Sequence, residues 1–333
     1  MAVELEQTCC DILAELELAT ADDVIDIKPL TGGVASDIFR IETRTRTYCV
    51  KFAIEKLRVE ADWFAPLHRN AAEYEWLEAV GSWFPDHVPR LYGRSETKHG
   101  FVMECIAGRC VRQWKNDLLA LGPRSGDASA VGRLLGGIHA ASVPLAARGD
   151  RFQNQTDFFD LRIEPYLVAL QSKHPEIASQ IDDIIRAMTD HPLVMVHGDV
   201  SPKNILFRSG EPIILDAECA TIGDPCFDVA FCLNHLLLKA VHLPEHRQAL
   251  LVEASTLWAD YAKHIDWEAS SDLEARVSAL LPLLLLARVD GKSPVEYLSS
   301  ENRDRVRALA LETVRARPTT IRRLIDQLEP ALT

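Results

Sequence analysis

The run Val194-Met195-Val196-His197-Gly198-Asp199-Val200-Ser201-Pro202-Lys203-Asn204-Ile205-Leu206, with Pro212-Ile213-Ile214-Leu215-Asp216-Ala217-Glu218 behind it, constrains this chain more than any other feature. A short apolar strand leads into His-Gly-Asp, an asparagine closes the loop, and a second apolar strand ends on an aspartate. The pattern delivers one carboxylate to a hydroxyl, and an amide oxygen plus a second carboxylate to a hard cation. Phosphoryl transfer needs such groups, because its chemistry is mostly positioning and charge neutralisation. Asp199 is therefore the candidate catalytic carboxylate, and Asn204 and Asp216 are the candidates for holding Mg2+. Each has a structural alternative: a helix cap, a turn, an Asx-turn. Their order along one chain, behind a candidate phosphate-binding lysine, favours the chemical reading. His197 reads as a residue that fixes the loop backbone. Ser201 is open between a phosphate contact and a turn residue.

That lysine lies in the β-prone N-terminal stretch. An amphipathic helix is expected first, with Leu5, Cys9, Ile12, Leu13 and Leu16 on one face. Strands follow over 25–30, 37–43 and 47–53, the first two separated by Gly32 and Gly33. Two glycines can be a plain hairpin turn, but they also let backbone amides approach phosphate oxygens closely. Lys51, inside an otherwise apolar strand, either snorkels at an edge or reaches that phosphate. A helix over 70–80 presents Ala72, Trp76, Leu77 and Val80 on one face, and Glu73, four residues before Leu77, can turn toward the sheet to meet Lys51. Glu75 falls off that stripe. Strands over 90–95 and 101–105 lead into a Gly-containing connector, a candidate hinge at 104–108 where the backbone of Glu104 and Ile106 would meet adenine.

Beyond Gly108 the pattern is helical, over 131–138, 161–172, 177–188, 231–241, 247–264, 272–288, 302–315 and 320–328, with Ser125 or Asp127 as N-cap of the first. His139 reads as a packed histidine rather than a catalytic one, and Trp114 and Trp267 as core. Arg288, Asp290 and Lys292 follow an apolar helix, where they cap its end or line a pocket. The formal net charge of −13 argues against nucleic acid and against a basic membrane patch. It suits a cationic acceptor, and a solvated acidic surface equally well. Eight cysteines without a C-x-x-C pair read as free thiols, the N-terminus shows no signal peptide, and the longest apolar run, 277–287, is too short to span a bilayer, so a cytoplasmic location is expected.

His197-Gly198-Asp199-x-x-x-x-Asn204, then Ile214-Leu215-Asp216-x-Glu218, then Gly223-Asp224-Pro225-x-x-Asp228, resembles the aminoglycoside phosphotransferase-like (choline kinase-like) small-molecule kinases. The resemblance runs from the Gly32-Gly33 loop to about Asn234. It implies an α+β, protein-kinase-like bilobal fold, with an antiparallel sheet lobe over 1–105 and a larger, mainly helical lobe over 106–333. It also implies ATP as donor, Mg2+ as cofactor, a small-molecule hydroxyl as acceptor, and Asp228 as a brace for the catalytic loop. Ala61-Asp62-Trp63 is similar to 5-methylthioribose kinase and its sugar-kinase relatives, which points to a sugar-like acceptor. That enzyme has two adjacent arginines late in the chain where Leu286-Ala287-Arg288-Val289 has one.

Three functions compete. A phosphotransferase acting on a sugar-like alcohol leads, with aminoglycosides, choline or another amino alcohol as alternative acceptors. A protein Ser/Thr kinase ranks below it, because Asp216-Ala217-Glu218 replaces D-F-G and no A-P-E signature follows. A non-catalytic nucleotide-binding module ranks last, because Lys51, Asp199, Asn204 and Asp216 are all present. The sequence assigns no oligomeric state.

Overall fold

A computed structural model describes residues 2–30, 36–54 and 66–332. Alternation along Thr47–Ala53 decides how the first part is layered, since successive strand side chains point to opposite faces. This strand, β3, lies at the centre of an antiparallel sheet with β1 (Val24–Pro29), β2 (Ser36–Thr43), β4 (Leu91–Ser95) and β5 (Gly100–Glu104), in the order β1-β2-β3-β5-β4. Tyr48, Val50 and Phe52 join Phe39, Ile41 and Val102 against Cys9, Ile12 and Leu13 of the helix α1 (Ala2–Glu15). Lys51, one residue out of step, faces the opposite side. There α2 (Arg69–Trp83) buries Ala72, Trp76, Leu77 and Val80. The N-terminal helix is thus a packing helix, as its spacing predicts.

The chain divides into two compact units, Met1–Val111 with Leu215–Glu218, and Arg112–Ile214 with Cys219–Thr333. A short segment of the second apolar run, carrying Asp216, therefore belongs to the sheet-bearing unit. The remainder is mainly helical. Its helices are α3 (Trp114–Ala120), α4 (Asp127–Arg148), α5 (Gln155–Phe158), α6 (Ala169–Lys173), α7 (Ala178–Thr189), α8 (Cys226–His242), α9 (Arg247–Tyr261), α10 (Ser270–Asp290), α11 (Ser300–Ala316) and α12 (Ile321–Leu332). Two small sheets carry the loops of interest: β7 (Val194–Val196) pairs with β10 (Thr221–Gly223), and β8 (Ile205–Arg208) lies between β6 (Val111–Gln113) and β9 (Glu211–Ile214). The α+β class, with an antiparallel sheet in the N-terminal part and mostly helix after it, stands as expected.

Three local details differ from expectation. Neither Ser125 nor Asp127 caps α4. Gly126, at φ 94°, takes the cap position, and Asp127 enters the helix with its carboxylate paired to Arg112 at 2.5 Å. The helix expected over 161–172 is a π-helical stretch, Phe159–Val168, continued by α6. Pro165 has no N–H for the i→i−4 ladder, and the chain widens into π turns around it. Finally, α4 is by length and composition apolar enough to cross a bilayer, yet Val131, Leu135 and Ile138 are buried in the protein core.

α4 comes very close to α9. A Cβ on Gly132 would lie 2.4 Å from the Leu257 carbonyl oxygen, and one on Gly136 would lie 2.9 Å from that of Tyr261. Only glycine allows this approach, and it sets His139, the next residue round the same face, against Tyr261.

Candidate active site

In the sheet-bearing unit, Lys51 is 1 % exposed and Glu73 is 2 % exposed. The lysine donates to Glu73 at 2.8 Å and to Asp216 at 2.5 Å. Glu73 is thus the partner on α2, as its place on the helix predicts, while Glu75 is only half-buried. Burial works against the Lys51 charge, but Asp216 and Glu73 outweigh it and hold the ammonium protonated. Burial also pushes Glu73 up, to about 7, against the pull of Lys51. Asp216 is the exposed member, with 31 % of its side chain open, and it adopts φ 70°, a left-handed conformation that aspartate tolerates better than most residues. Two residues on, Glu218 accepts from Arg69 Nε at 3.0 Å. Arg69 is fully buried and also donates to the carbonyls of Pro66 and Ile54. A cation in the first turn of a helix opposes the helix dipole, which is the sequence signal that Arg69 has business elsewhere.

The other residues expected on the nucleotide side are less defined. Gly32 and Gly33 lie outside the described residues, as does Ala61-Asp62-Trp63. The Glu104 N–H donates to the Arg90 carbonyl at 2.8 Å, where β5 continues its pairing to that point. Ile106 follows in irregular chain, half-buried.

In the helical unit, the loop after β7 is fixed by one buried carboxylate. Asp228, fully buried in the first turn of α8, accepts from the backbone N–H of His197 at 2.6 Å and of Gly198 at 2.8 Å. His139 Nε2 lies 3.3 Å from the same carboxylate, and His139 Nδ1 lies 2.9 Å from the Tyr261 hydroxyl. Burial works to raise the Asp228 pKa, but the His139 hydrogen bond, the charges of both histidines and the His197 amide hold it below the usual carboxylate range. An ionised Asp228 only accepts, so His139 Nε2 donates to it, and the Tyr261 hydroxyl meets the other ring nitrogen. Gly198 has φ 80°, and a Cβ there would lie 2.9 Å from Cys219 Cβ. Asp224, at the start of the same helix, receives Arg276 through two hydrogen bonds of 2.7 and 3.2 Å and accepts from the Cys226 N–H.

This bracing presents Asp199, whose N–H donates to His197 Nδ1 at 3.0 Å. His197 is the backbone clamp its position suggests. Two cations meet one oxygen of the Asp199 carboxylate: Arg162 at 3.3 Å and Lys203 at 3.1 Å, both on Oδ2. Arg162 also donates to the Gly198 carbonyl and to that of Leu161 at 2.8 Å. Asn204 donates from Nδ2 to the Asp199 carbonyl at 3.0 Å, which makes its Oδ1 the atom left for a cation. Ser201 is fully buried, and its hydroxyl has no partner among the described residues.

Sequence reasoning missed Arg162, Lys203 and Arg69. For Arg162 the available signal was an arginine between Leu161 and Ile163 in an apolar helical run. For Lys203 it was the i+4 spacing from Asp199. Of the three residues after the apolar helix, Asp290 pairs with His174 at 2.9 Å and with Arg307 at 2.7 Å, and Lys292 pairs with Glu164 at 2.6 Å. Arg288 instead turns inward to the Tyr166 hydroxyl at 3.1 Å and to Ser293. Trp114 is buried, as expected. Trp267 is half-buried and packs edge-on to His139 and Tyr261.

A family model described as "APH: Phosphotransferase enzyme family" matches residues 26–269. No curated protein matches the chain. Among solved structures, an amicoumacin kinase in complex with AMP-PNP and Ca2+ superposes with a TM-score of 0.57 at 16 % identity, over 97 % of this chain and 100 % of its own. Choline kinase from Cryptosporidium parvum gives 0.56 at 12 %, over 100 % and 99 %. A choline/ethanolamine kinase family protein from Mesorhizobium loti gives 0.54 at 15 %, over 96 % and 98 %. At such identities the likeness is one of fold.

Proposed function

Because the chain belongs to the phosphotransferase enzyme family, we propose that it moves the γ-phosphate of ATP to a hydroxyl of a sugar-like small molecule. The observation that carries this reading is Asp199. Its backbone is tied through His197 and Gly198 to Asp228, and both neighbouring cations sit on Oδ2. Oδ1 is then the oxygen that receives the acceptor's proton while the acceptor oxygen bonds to phosphorus and ADP departs. Fixing the carboxylate in this way aligns the nucleophile, and alignment matters more than base strength when the transition state is loose.

Lys51, oriented by Glu73, is the donor for ATP phosphate oxygens, the use such an ion pair has in kinase sites. Asn204 Oδ1 and the exposed carboxylate of Asp216 are hard oxygen donors that fit Mg2+, and we assign the cation to them. When bound, Mg2+ would neutralise charge on the phosphate oxygens. The AMP-PNP and Ca2+ held by the amicoumacin kinase support a nucleotide triphosphate and a divalent cation. Aminoglycosides, choline and other amino alcohols are the alternative acceptors, and eight free thiols support a cytoplasmic location.

The test is coupled ADP release with Mg·ATP across pentoses, methylthioribose, aminoglycosides, choline and homoserine, beside radiolabel transfer to protein substrates. Acceptor-dependent release with a small alcohol is expected. Transfer to proteins alone would reverse the assignment.

A further inference from the structure

Helix α8 is buried nearly all round, yet it carries a polar stripe: Asp228, His235 and Lys239 lie on successive turns of one face with Phe231 between them. Asp228 is accounted for by the catalytic loop. Lys239 is not. It is 1 % exposed, and among the described residues its ammonium reaches only the His235 carbonyl, at 3.3 Å, and the face of Tyr297, 5.4 Å from the ring centroid. Arg288 is in the same position. Among the described residues its guanidinium bonds only to neutral oxygens, those of Tyr166 and Ser293, and its Nε has no partner. The buried Tyr297 hydroxyl has none either.

No carboxylate among the described residues lies within ion-pairing distance of Lys239 or Arg288. Lys115 and Arg288 both act electrostatically on Lys239, and with Lys203 they act on His235. Glu296 is the nearby carboxylate, and Lys115 takes it at 2.6 Å. Burial first, then Lys115 and Arg288, push Lys239 down to about 7. A desolvated cation among cations is costly unless an anion joins it.

The cluster is joined to the catalytic loop by aromatic rings. A Cβ on Gly198 would meet Phe158 at 3.3 Å, Phe158 packs on Phe227, Phe227 stacks on Phe231, and Phe231 meets His235 at 5.2 Å. Arg288 lies over Tyr166, which packs on Phe231 from another side. Asp228 and His235 are seven residues apart, roughly 10 Å along the axis. Lys239 leans back toward His235, so an anion held there lies about that far from the loop that braces Asp199.

We propose that the acceptor alcohol carries an oxyanion, carboxylate or phosphate, which Arg288 and Lys239 hold while Asp199 meets its hydroxyl. The proposal rests on the phosphotransferase reading and narrows its acceptor. It also runs against the overall charge of −13, which by itself suits a cation. Choline and gentamicin present positive charge, and this cluster repels it.

The test uses one carbon skeleton with three charges: ribose, ribonate and ribose 5-phosphate, with choline and gentamicin beside them, in ADP release by the full chain. An anionic member is expected to exceed ribose at least tenfold in kcat/KM, and ribonate against ribose 5-phosphate decides between carboxylate and phosphate. Lys239→Met and Arg288→Gln are each expected to raise that acceptor's KM at least tenfold, leaving kcat within about threefold and the KM for ATP unchanged. Turnover of neutral or cationic acceptors with the anionic ones rejected would overturn the proposal, as would an anionic acceptor whose KM ignores both variants. If no acceptor releases ADP, the phosphotransferase reading falls, and thermal shift judges the anion site alone. A rise in Tm with ribose 5-phosphate or inorganic phosphate, absent with ribose and lost in both variants, supports the site; no rise refutes it.

Discussion

Lys51 and Lys239 are the same residue at the same burial, each 1 % exposed, and their environments push them in opposite directions. Lys51 has two carboxylates within hydrogen-bond reach and is held charged. Lys239 has a carbonyl and a ring, with further cations around it, and is pushed down to about 7. Burial is the largest influence on both, so the difference comes from the neighbours alone. The first lysine belongs to a charge cluster that is complete as it stands. The second belongs to one that a ligand would complete.

Replacing each lysine with methionine separates the two most sharply. Lys51→Met leaves Glu73 and Asp216 without their cation, and a loss of about 3 kcal/mol is expected, near the low end for a broken buried pair because Glu73 can neutralise. Thermal or urea unfolding reads it, and a Tm within a degree of wild type would show that the cluster is not coupled to folding. Lys239→Met has the opposite sign, since a flexible apolar side chain replaces an uncompensated cation. At pH 7 it is expected to be more stable by about 1–2 kcal/mol in the same assay, and a clear loss would mean that the ammonium has a partner.

The third effect is a slope. The ordinary lysine value is 10.5 and the folded one about 7. Between those values the unfolded chain holds more protons than the folded one, so stability rises with pH there. Wild type should gain on Lys239→Met by up to about 1.4 kcal/mol per pH unit between pH 7 and 10.5, and the gap between them should be constant below that window. Parallel stability curves from pH 7 to 10.5 would place the Lys239 pKa at its ordinary value.

The first cluster was largely legible in the sequence. A lysine inside an alternating strand must point to one face, and Glu73 has the helical phase to meet it. The catalytic loop was legible for a similar reason: His197, Asp199 and Asn204 are local, and their spacing carries the geometry. Asp228 and His139 were legible in part, the first as a brace and the second as a packed histidine, though only the Gly136 crossing with α9 explains why His139 meets Tyr261. Arg162 was hidden because a π-helical segment shifts which residues share a face. The cap at Asp127 was misplaced because Arg112, fifteen residues earlier, takes that carboxylate. The Lys239 cluster was hidden more deeply. Its defining feature is a missing carboxylate, and absence at a point in space leaves no mark on a linear sequence.

The central claim is that the braced Asp199 carboxylate receives the acceptor's proton, and acceptor-dependent ADP release by Asp199→Asn tests it most directly. The amide keeps the shape of the side chain and loses its basic oxygen. With saturating Mg·ATP and the best acceptor from the screen, kcat should fall by about 10²–10⁴-fold, while equilibrium dialysis gives Mg·ATP affinity within a few-fold of wild type. Wild-type turnover in Asp199→Asn would contradict the account.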